Sequence, residues 1–423
     1  MPDPMEPFRT DHLFMLIGAN LLPNYVAAKL LSKPTTTFWL LHSDGFEGEP
    51  STKESAKRLE RGLKKLRSES VIGFQGVFSV PIASADNQAI VRTIQSIIRD
   101  ECIQESIGLH YTGGTKPMAV HVYRAIEQAS INKQQRPIFS YLDPRKLALC
   151  VDGSGIQSMT VIPLLSDDQL RRKVQVELGD LLLLHGYSKP KQKEPPLRPE
   201  PLTATLATIH THKDGIEQWK DWLYEGRRNT NGVLSSLPNP ATYPALQPIC
   251  DVLDKLCDSE ATEQSVAALI GFEKLDSGFK WLLSEWLEEF TYRAIERCRI
   301  ESSLLLHDVT HSLKPTALVG SKGHLELDAA AMIGYQLFAF SCIANDKPKG
   351  ETKKHLFEAY VRTRQLGGDE ARTALVCLVE SGDILRQELE REWDAEGKIK
   401  VFDRNDLKDL PAAFEQWFRT ASG

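Results

Sequence analysis

At 423 residues the chain has length for two or three domains, each able to bury a core of its own. A hydrophobic share of 41% beside 26% charged residues is that of an ordinary globular protein. The formal net charge of −6 excludes a global basic field and leaves room only for a local basic groove. No apolar run reaches the ~18 residues of a membrane span. The opening MPDPMEPFRTD carries acids and prolines where a secretory signal needs a basic and then an apolar region. Seven scattered cysteines without CxxC spacing argue against a zinc knuckle or a disulfide framework. The expectation is a cytoplasmic protein with reduced thiols and no membrane partner.

The first part alternates strands and helices. Residues 12–19 (HLFMLIGA) form an almost continuous apolar run, as in a strand buried on both faces. A helix is expected from Pro23, with Asn20 or a nearby polar group at its cap. Residues 36–42 read as a second strand, 52–67 as a basic amphipathic helix and 74–81 as a third strand. Residues 87–99 then read as a helix with Ile90, Ile94, Ile97 and Ile98 on one side. A fourth strand at 106–111 enters Thr112-Gly113-Gly114-Thr115-Lys116, with a helix behind it at 117–130 and a β-pair at 136–141 and 147–151. This order predicts an α/β domain with a mostly parallel, Rossmann-like sheet covered on both faces.

Residues 187–201 are rich in proline and charge and read as a linker. A small helical connector is expected over 213–270, and 278–297 (GFKWLLSEWLEEFTYRAIER) is a strong amphipathic helix. Strand-like pieces follow at 303–309, 324–331 and 336–342, then a helix at 353–366 and a strand at 374–379. That order predicts a second, mixed α/β domain. No long-period repeat is visible. The expected divisions are 1–186, a linker at 187–204, a helical region at 205–270 and a last domain at 271–423.

Two loops leave strand ends and run into helices. The second offers two glycines, two threonine hydroxyls, a lysine and the free N–H groups of a helix start, all suited to phosphate. Neither GxGxxG nor GxxxxGK[ST] is present, so a dinucleotide fingerprint or a Walker site is not supported. Tight turns would use the same glycines. Convergence of the two loops with Ser43-Asp44-Gly45 on one sheet edge makes a nucleotide ligand the better reading.

The segments LIGANLLPNYVAA, LLHSDG, HYTGGTKPMAVHVY and FSYLDPRKLAL, in that order, resemble the CARF domain of CRISPR-associated ancillary nucleases over residues 10–175. The resemblance implies a homodimer that binds one cyclic oligoadenylate, usually cyclic tetra-adenylate, across its two-fold axis. Carried over by position, it assigns the ligand to Gly18, Ala19, Asn20, Pro23 and Asn24, to Ser43 and Asp44, and to Thr112, Gly113, Gly114, Thr115 and Lys116.

The C-terminal half resembles the restriction-enzyme-like PD-(D/E)XK nuclease domain that accompanies such sensors. The matching features are Trp286-Leu287-Glu288, Glu326-Leu327-Asp328 and RQLGGDEARTALV at 364–376. The resemblance implies Mg²⁺ or Mn²⁺ held by Glu288 and Asp328, with Glu326 on the same side of its strand as Asp328. It also exposes a departure: Ser341 stands where the family has a carboxylate and Ile343 where it has a lysine. A serine cannot anchor a hard cation as a carboxylate does, and isoleucine carries no charge. Asp346 and Lys347, just past the strand, or Lys353 and Lys354 on the next helix, are the expected substitutes.

Without the resemblance, Glu326 and Asp328 read as ordinary solvent-facing strand acids and Glu288 as part of an acidic helix surface. His307 and His311 read as polar strand surface rather than zinc ligands, and Cys342 as a core thiol. The expected function is a type III CRISPR antiviral effector, allosterically activated as a metal-dependent nuclease on DNA or RNA. An inactive ligand-responsive binding protein and a ring nuclease that degrades its own messenger stay open as alternatives. A transcription regulator is a more distant one, with no helix-turn-helix signature.

Overall fold

The computed structural model describes residues 3–45, 51–102, 105–131, 135–152, 158–189, 196–229, 239, 241–256, 270–273, 275–318, 325–344 and 349–422. The first apolar run is β1 (His12–Leu16), buried along its whole length. It pairs in parallel with β2 (Thr37–Ser43) on one side and, on the other, with a strand far along the chain, Ile107–His110. In chain order the remaining strands are β3 (Gly76–Ile82), β4 (Ile107–His110), β5 (Ile138–Asp143), β6 (Ala148–Val151) and β7 (Thr160–Pro163). They complete a seven-stranded sheet in the order β3-β2-β1-β4-β5-β6-β7, parallel as far as β5 and antiparallel beyond. The predicted β-pair is therefore present as β5 and β6, and β7 is an addition.

Alternate residues of β1 serve the two faces. Leu13 and Met15 pack beneath α1 (Leu22–Leu31) and α2 (Lys53–Ser68), while Phe14 and Leu16 pack beneath α3 (Asn87–Glu101) and α4 (Lys116–Ala129). This is why an unbroken apolar run, and not an alternating one, was needed here. Strand order reverses between β1 and β4, so the loops that follow these two strands flank one crevice, the usual ligand position in such sheets.

Short helices α5 (Asp168–Lys173) and α6 (Leu178–Leu184) lead to β8 (Tyr187–Ser188). Within the segment expected as a linker, β8 pairs with the later strand Thr316–Ala317 and α7 (Glu200–Ile209) begins. Helices α8 (Lys213–Asn229) and α9 (Gln247–Leu256) continue the helical region. Helix α10 (Leu275–Lys280) then runs through a π turn at Trp281–Glu285 into α11 (Trp286–Glu301). Such turns widen a helix locally and re-aim its side chains.

The second sheet uses β9 (Leu306–Leu313), β11 (Leu327–Ile333), β12 (Gln336–Ile343), β13 (Arg372–Cys377) and β14 (Ile399–Phe402), with β10 (Thr316–Ala317) outside it. Its order is β14-β13-β12-β11-β9, antiparallel from β9 to β12 and parallel from β12 to β14. The parallel crossovers are α12 (Lys349–Gly367) and α13 (Gly382–Trp393), and α14 (Leu410–Ala421) follows β14. The predicted helix, three strands, helix and strand are all present. Helix α13, β14 and α14 extend the domain beyond that reading, and Phe414 and Phe418 of α14 pack on Phe338 and Phe340.

The two sheets share one apolar core. Met332, Tyr335, Leu337 and Ala339 of the second sheet lie in the same buried cluster as Leu13, Tyr25 and Leu182 of the first half. Polar clasps reinforce it. The N–H of Val176 donates to Gly334 O at 2.9 Å, and the N–H of Leu178 donates to the Asp308 carboxylate at 2.7 Å. Asp308 stands at a bulge in β9 with φ 50°, which turns its side chain out of the ladder. Among the described residues no helix is long and apolar enough to cross a membrane.

Leu337→Ala empties a fully buried position of this shared core, and a loss of about 2–5 kcal/mol is expected. A denaturant melt of the full chain should show both halves shifting together. Two transitions, only one of them moved, would show that the halves have separate cores.

Candidate functional site

The loop after β1 and the loop after β4 touch. A Cβ on Gly113 would stand 2.2 Å from Leu16 O and 2.9 Å from Gly18 N, so no larger residue fits there. Thr115 caps α4: its hydroxyl accepts the Met118 N–H at 3.3 Å and donates to Ser84 O at 2.9 Å. Gly114, Thr115 and Lys116 are exposed at this helix start, and Ala19 and Asp44 are exposed nearby in sequence order on the other two loops.

Several residues expected to line the pocket turn their side chains inward. Asn24 is fully buried and donates through Nδ2 to Leu16 O at 3.1 Å, which fixes the end of β1. Pro23 is buried in the first turn of α1. Ser43 is buried and accepts the Thr52 N–H at 3.0 Å. The Thr112 hydroxyl lies 2.9 Å from His110 Nε2 and accepts the Leu142 N–H at 2.8 Å. His110 is fully buried, and burial pushes its imidazole down to about 3, so it stays neutral. These side chains shape the loops. Of the expected ligand residues, Ala19, Asp44, Gly114, Thr115 and Lys116 are exposed, while Gly18, Asn20 and Gly113 are half-buried.

In the second sheet, Ala329 pairs with Phe340, which sets Ser341 across from Asp328. The Asp328 carboxylate accepts the Cys342 N–H at 2.7 Å and the Ser341 hydroxyl. Glu288 comes from the first turn of α11. Its neighbour Glu289 points the other way and accepts the Trp281 indole N–H at 2.6 Å and the Arg198 N–H, so it is a structural acid. Glu326 lies just before β11 and pairs with Lys314 at 2.9 Å. Glu288, Glu326, Asp328 and Ser341 line one cavity of about 380 Å³.

The opposite wall of that cavity is α12, which contributes His355, Glu358 and Arg362. The sequence reading missed these residues, although their spacing puts them on one face of a helix it did predict. Glu358 and Arg362 pair at 3.5 Å. Of the expected substitutes for the absent E-x-K groups, Lys353 is turned away: Glu388 and Glu392 of α13 hold its ammonium. Asp346 and Lys347 lie outside the described residues. Ile343 is buried against Leu356, Tyr360 and Leu375 and has an apolar packing role.

Burial, then the nearby Asp328 charge, raises the Glu288 carboxyl above its ordinary 4.5. Burial also raises Asp328 above its ordinary 3.8, against the pull of the Cys342 N–H. Two half-buried, mutually repelling carboxylates beside open space fit a hard divalent cation that takes the rest of its shell from water and phosphate oxygens. Among the described residues, no three His, Cys, Asp or Glu are grouped closely enough to hold a metal by themselves. His307 and His311 are no exception: His307 bonds Asp308 and Gly334 O, and His311 is buried against Tyr292. Cys342 donates its thiol to Thr291 Oγ1 at 3.4 Å.

The chain is similar to two solved structures over nearly its whole length. Protein VC1899 from Vibrio cholerae matches with a TM-score of 0.67 at 15% identity, over 97% of this chain and 98% of that one. Can2 from Sulfobacillus thermosulfidooxidans, solved in complex with cyclic tetra-adenylate, matches with a TM-score of 0.64 at 12% identity, over 98% and 99%. No family model and no curated protein matches the chain. At such identities the likeness speaks to the fold: a Rossmann-like sheet followed by a smaller mixed sheet, in the arrangement these two proteins share.

The raised carboxyls set a pH dependence. Each binds its proton more tightly folded than unfolded, so the stability it contributes is present below its unfolded value and is lost as pH rises through its folded value. Without divalent cations, the raised Glu288 carboxyl should lower the melting temperature as pH rises above about 6.5, where the buried neutral histidines no longer add stability with rising pH. Glu288→Gln should flatten that fall, and an equal slope in the variant would exclude Glu288 as its source.

Proposed function

We propose that the chain is a type III CRISPR antiviral effector. It binds a cyclic oligoadenylate, cyclic tetra-adenylate in the first instance, between the N-terminal domains of a homodimer. Ligand binding then activates a metal-dependent nuclease in the C-terminal domain, acting on DNA or RNA. The observation that carries this is the coexistence, on the fold shared with Can2, of the exposed loop pair and the Glu288–Asp328 cavity.

The loop pair suits a phosphate-rich ligand for stated reasons. Backbone N–H groups at the start of α4 favour anions, and Lys116 adds a cation beside them. In the cavity, the backbone N–H of Cys342 and the Ser341 hydroxyl orient Asp328 towards Glu288. A bound Mg²⁺ or Mn²⁺ would supply Lewis acidity and a more acidic water. Arg362 and His355 face these acids from α12 and would orient the phosphodiester, the service a strand lysine gives in related sites. Lys314 pairs with Glu326, so Glu288 and Asp328 would be the acids left to hold a cation.

One observation favours a second reading. Ser341 and Ile343 hold the positions of a carboxylate and a lysine, and Ile343, which borders the cavity, packs against Leu356 and Leu375 and offers it no charge. A ligand-responsive protein that binds nucleic acid without cutting it would have this pattern. Incubation of the full chain with single- and double-stranded DNA and RNA, Mg²⁺ or Mn²⁺, and cyclic tetra-adenylate decides between them. Absence of cleavage across that set selects the second reading.

Lys116→Ala removes a cation from the loop pair and should weaken cyclic tetra-adenylate binding by about 1.5–3 kcal/mol, measured calorimetrically. Unchanged affinity would place the phosphates elsewhere. Asp328→Ala should abolish cleavage and leave ligand affinity within about twofold, the experimental scatter allowed for distant sites.

A further inference from the structure

The ligand loop of the first half touches the second half directly, through Asn20. Its Oδ1 accepts the Leu22 N–H at 3.1 Å, at the start of α1. Its Nδ2 faces Gly368, where an added Cβ would stand only 2.1 Å from it. Gly368 has φ +66°, so backbone conformation and space both require glycine there. The tight turn Gly368–Glu370 joins the end of α12 to the start of β13.

Beneath this turn lies a set of buried polar groups that is only partly satisfied. Gln336 Nε2 donates to Glu370 O at 2.9 Å, and Arg372 Nη1 donates to Glu370 O at 2.8 Å and Ala371 O at 3.1 Å. The Tyr335 hydroxyl, Gln336 Oε1 and Arg372 Nε have no hydrogen-bond partner among the described residues. The Glu370 side chain is 2% exposed, and burial pushes its carboxyl up to about 7. Unpaired polar groups in an otherwise close-packed core are costly, and an alternative arrangement that pairs them is correspondingly accessible.

We propose that the Asn20–Gly368 contact belongs to the resting state, and that ligand in the loop pair breaks it and so passes its signal to the acid cavity. The proposal rests on the ligand reading of that loop pair. A ligand that draws in Gly18 and Ala19 pulls the adjoining Asn20, and the turn it leaves is free to shift. Helix α12 ends at Gly367, and the same helix carries Arg362, Glu358 and His355 into the cavity. From Glu358 to Gly367 the helix runs ~13 Å, a rigid lever on this scale. Strand β13 leaves the turn on its other side and lies beside β12 with Ser341 opposite Leu375, so the floor of the cavity is tied to the same turn. Packed elements move as units between discrete arrangements, which is how a sub-ångström change at a loop reaches a distant site.

The test uses the full chain and cyclic tetra-adenylate, with affinity measured by calorimetry and amide hydrogen exchange followed across residues 366–372. In the wild type, ligand should change exchange in that segment. Gly368→Ala places a methyl group against Asn20, away from the loop face, and disfavours the resting contact. It should tighten ligand binding about fivefold, the low end of typical couplings, because coupling between sites is reciprocal. Asn20→Gly should cut the ligand's effect on exchange at 366–372. Unchanged exchange there in a wild type that binds the ligand overturns the proposal whether or not the alanine variant folds. Unchanged or weaker affinity in a folded Gly368→Ala variant overturns it as well. A wild type that does not bind cyclic tetra-adenylate gives a different result: it removes the ligand reading itself, and this inference with it.

Discussion

The burial of Met332, Tyr335 and Leu337 in the same apolar cluster as the first domain's helices is the constraint on which the rest of the molecule depends. Domains joined by a free tether signal by changing distance or orientation. Domains joined by a core have to signal by shifting packed elements, because a dense interior transmits displacement and does not absorb it. The hairpin between β11 and β12, the bulge in β9 and the turn after α12 are among the parts of the second half that bear on the first domain. The hairpin and the turn connect to strands that carry the acid site.

At that site, the loss of the strand carboxylate and lysine changes the electrostatics without erasing them. A third acid opposite Asp328 would add repulsion that a cation has to offset. Ser341 instead donates a hydrogen bond to Asp328, which favours its charged form and fixes its direction. In the proposed reading, Glu288 and Asp328 would be the anionic pair for Mg²⁺, which commonly keeps several waters and one or two carboxylates. The positive charge has moved as well. It is absent from Ile343 and present on Arg362 of the facing helix, where a planar guanidinium can hold two phosphate oxygens at once.

How legible this was in the sequence follows from the range of each interaction. The β1 run, the GGT loop and the helix behind it are local signals, and they appear where predicted. The position of Ser341 opposite Asp328 was also readable, because strand pairing fixes register once two strands and their turn are known. The inward turn of Asn24, Ser43 and Thr112 was not readable, since each depends on partners supplied by other loops. Phe414, Trp417 and Phe418 carry a helical i, i+3, i+4 signal that went unused, and with it α14. The spacing of His355, Glu358 and Arg362 marks one helix face, but that this face meets the acids, and that Asn20 meets Gly368, depends on parts of the chain more than a strand apart.

That difference in range also separates the two halves of the functional argument. A loop pair for phosphate is built from local chemistry: glycines, a cap and a lysine within one turn of a helix. An acid cleft made from α11, β11 and α12 exists only when three distant segments are held together. Such a cleft is sensitive to anything that moves one of the three against the others. Helix α12 spans two cores, with Leu356 and Tyr360 in one and Leu366 in the core shared with the first domain, and its far end rests on a tight turn over under-satisfied polar groups. Control of the cleft through α12 therefore needs no new interaction at the acids themselves. It needs only that the turn after Gly367 have two acceptable positions, and the unpaired Tyr335, Gln336 and Arg372 atoms supply the energetic reason for a second one.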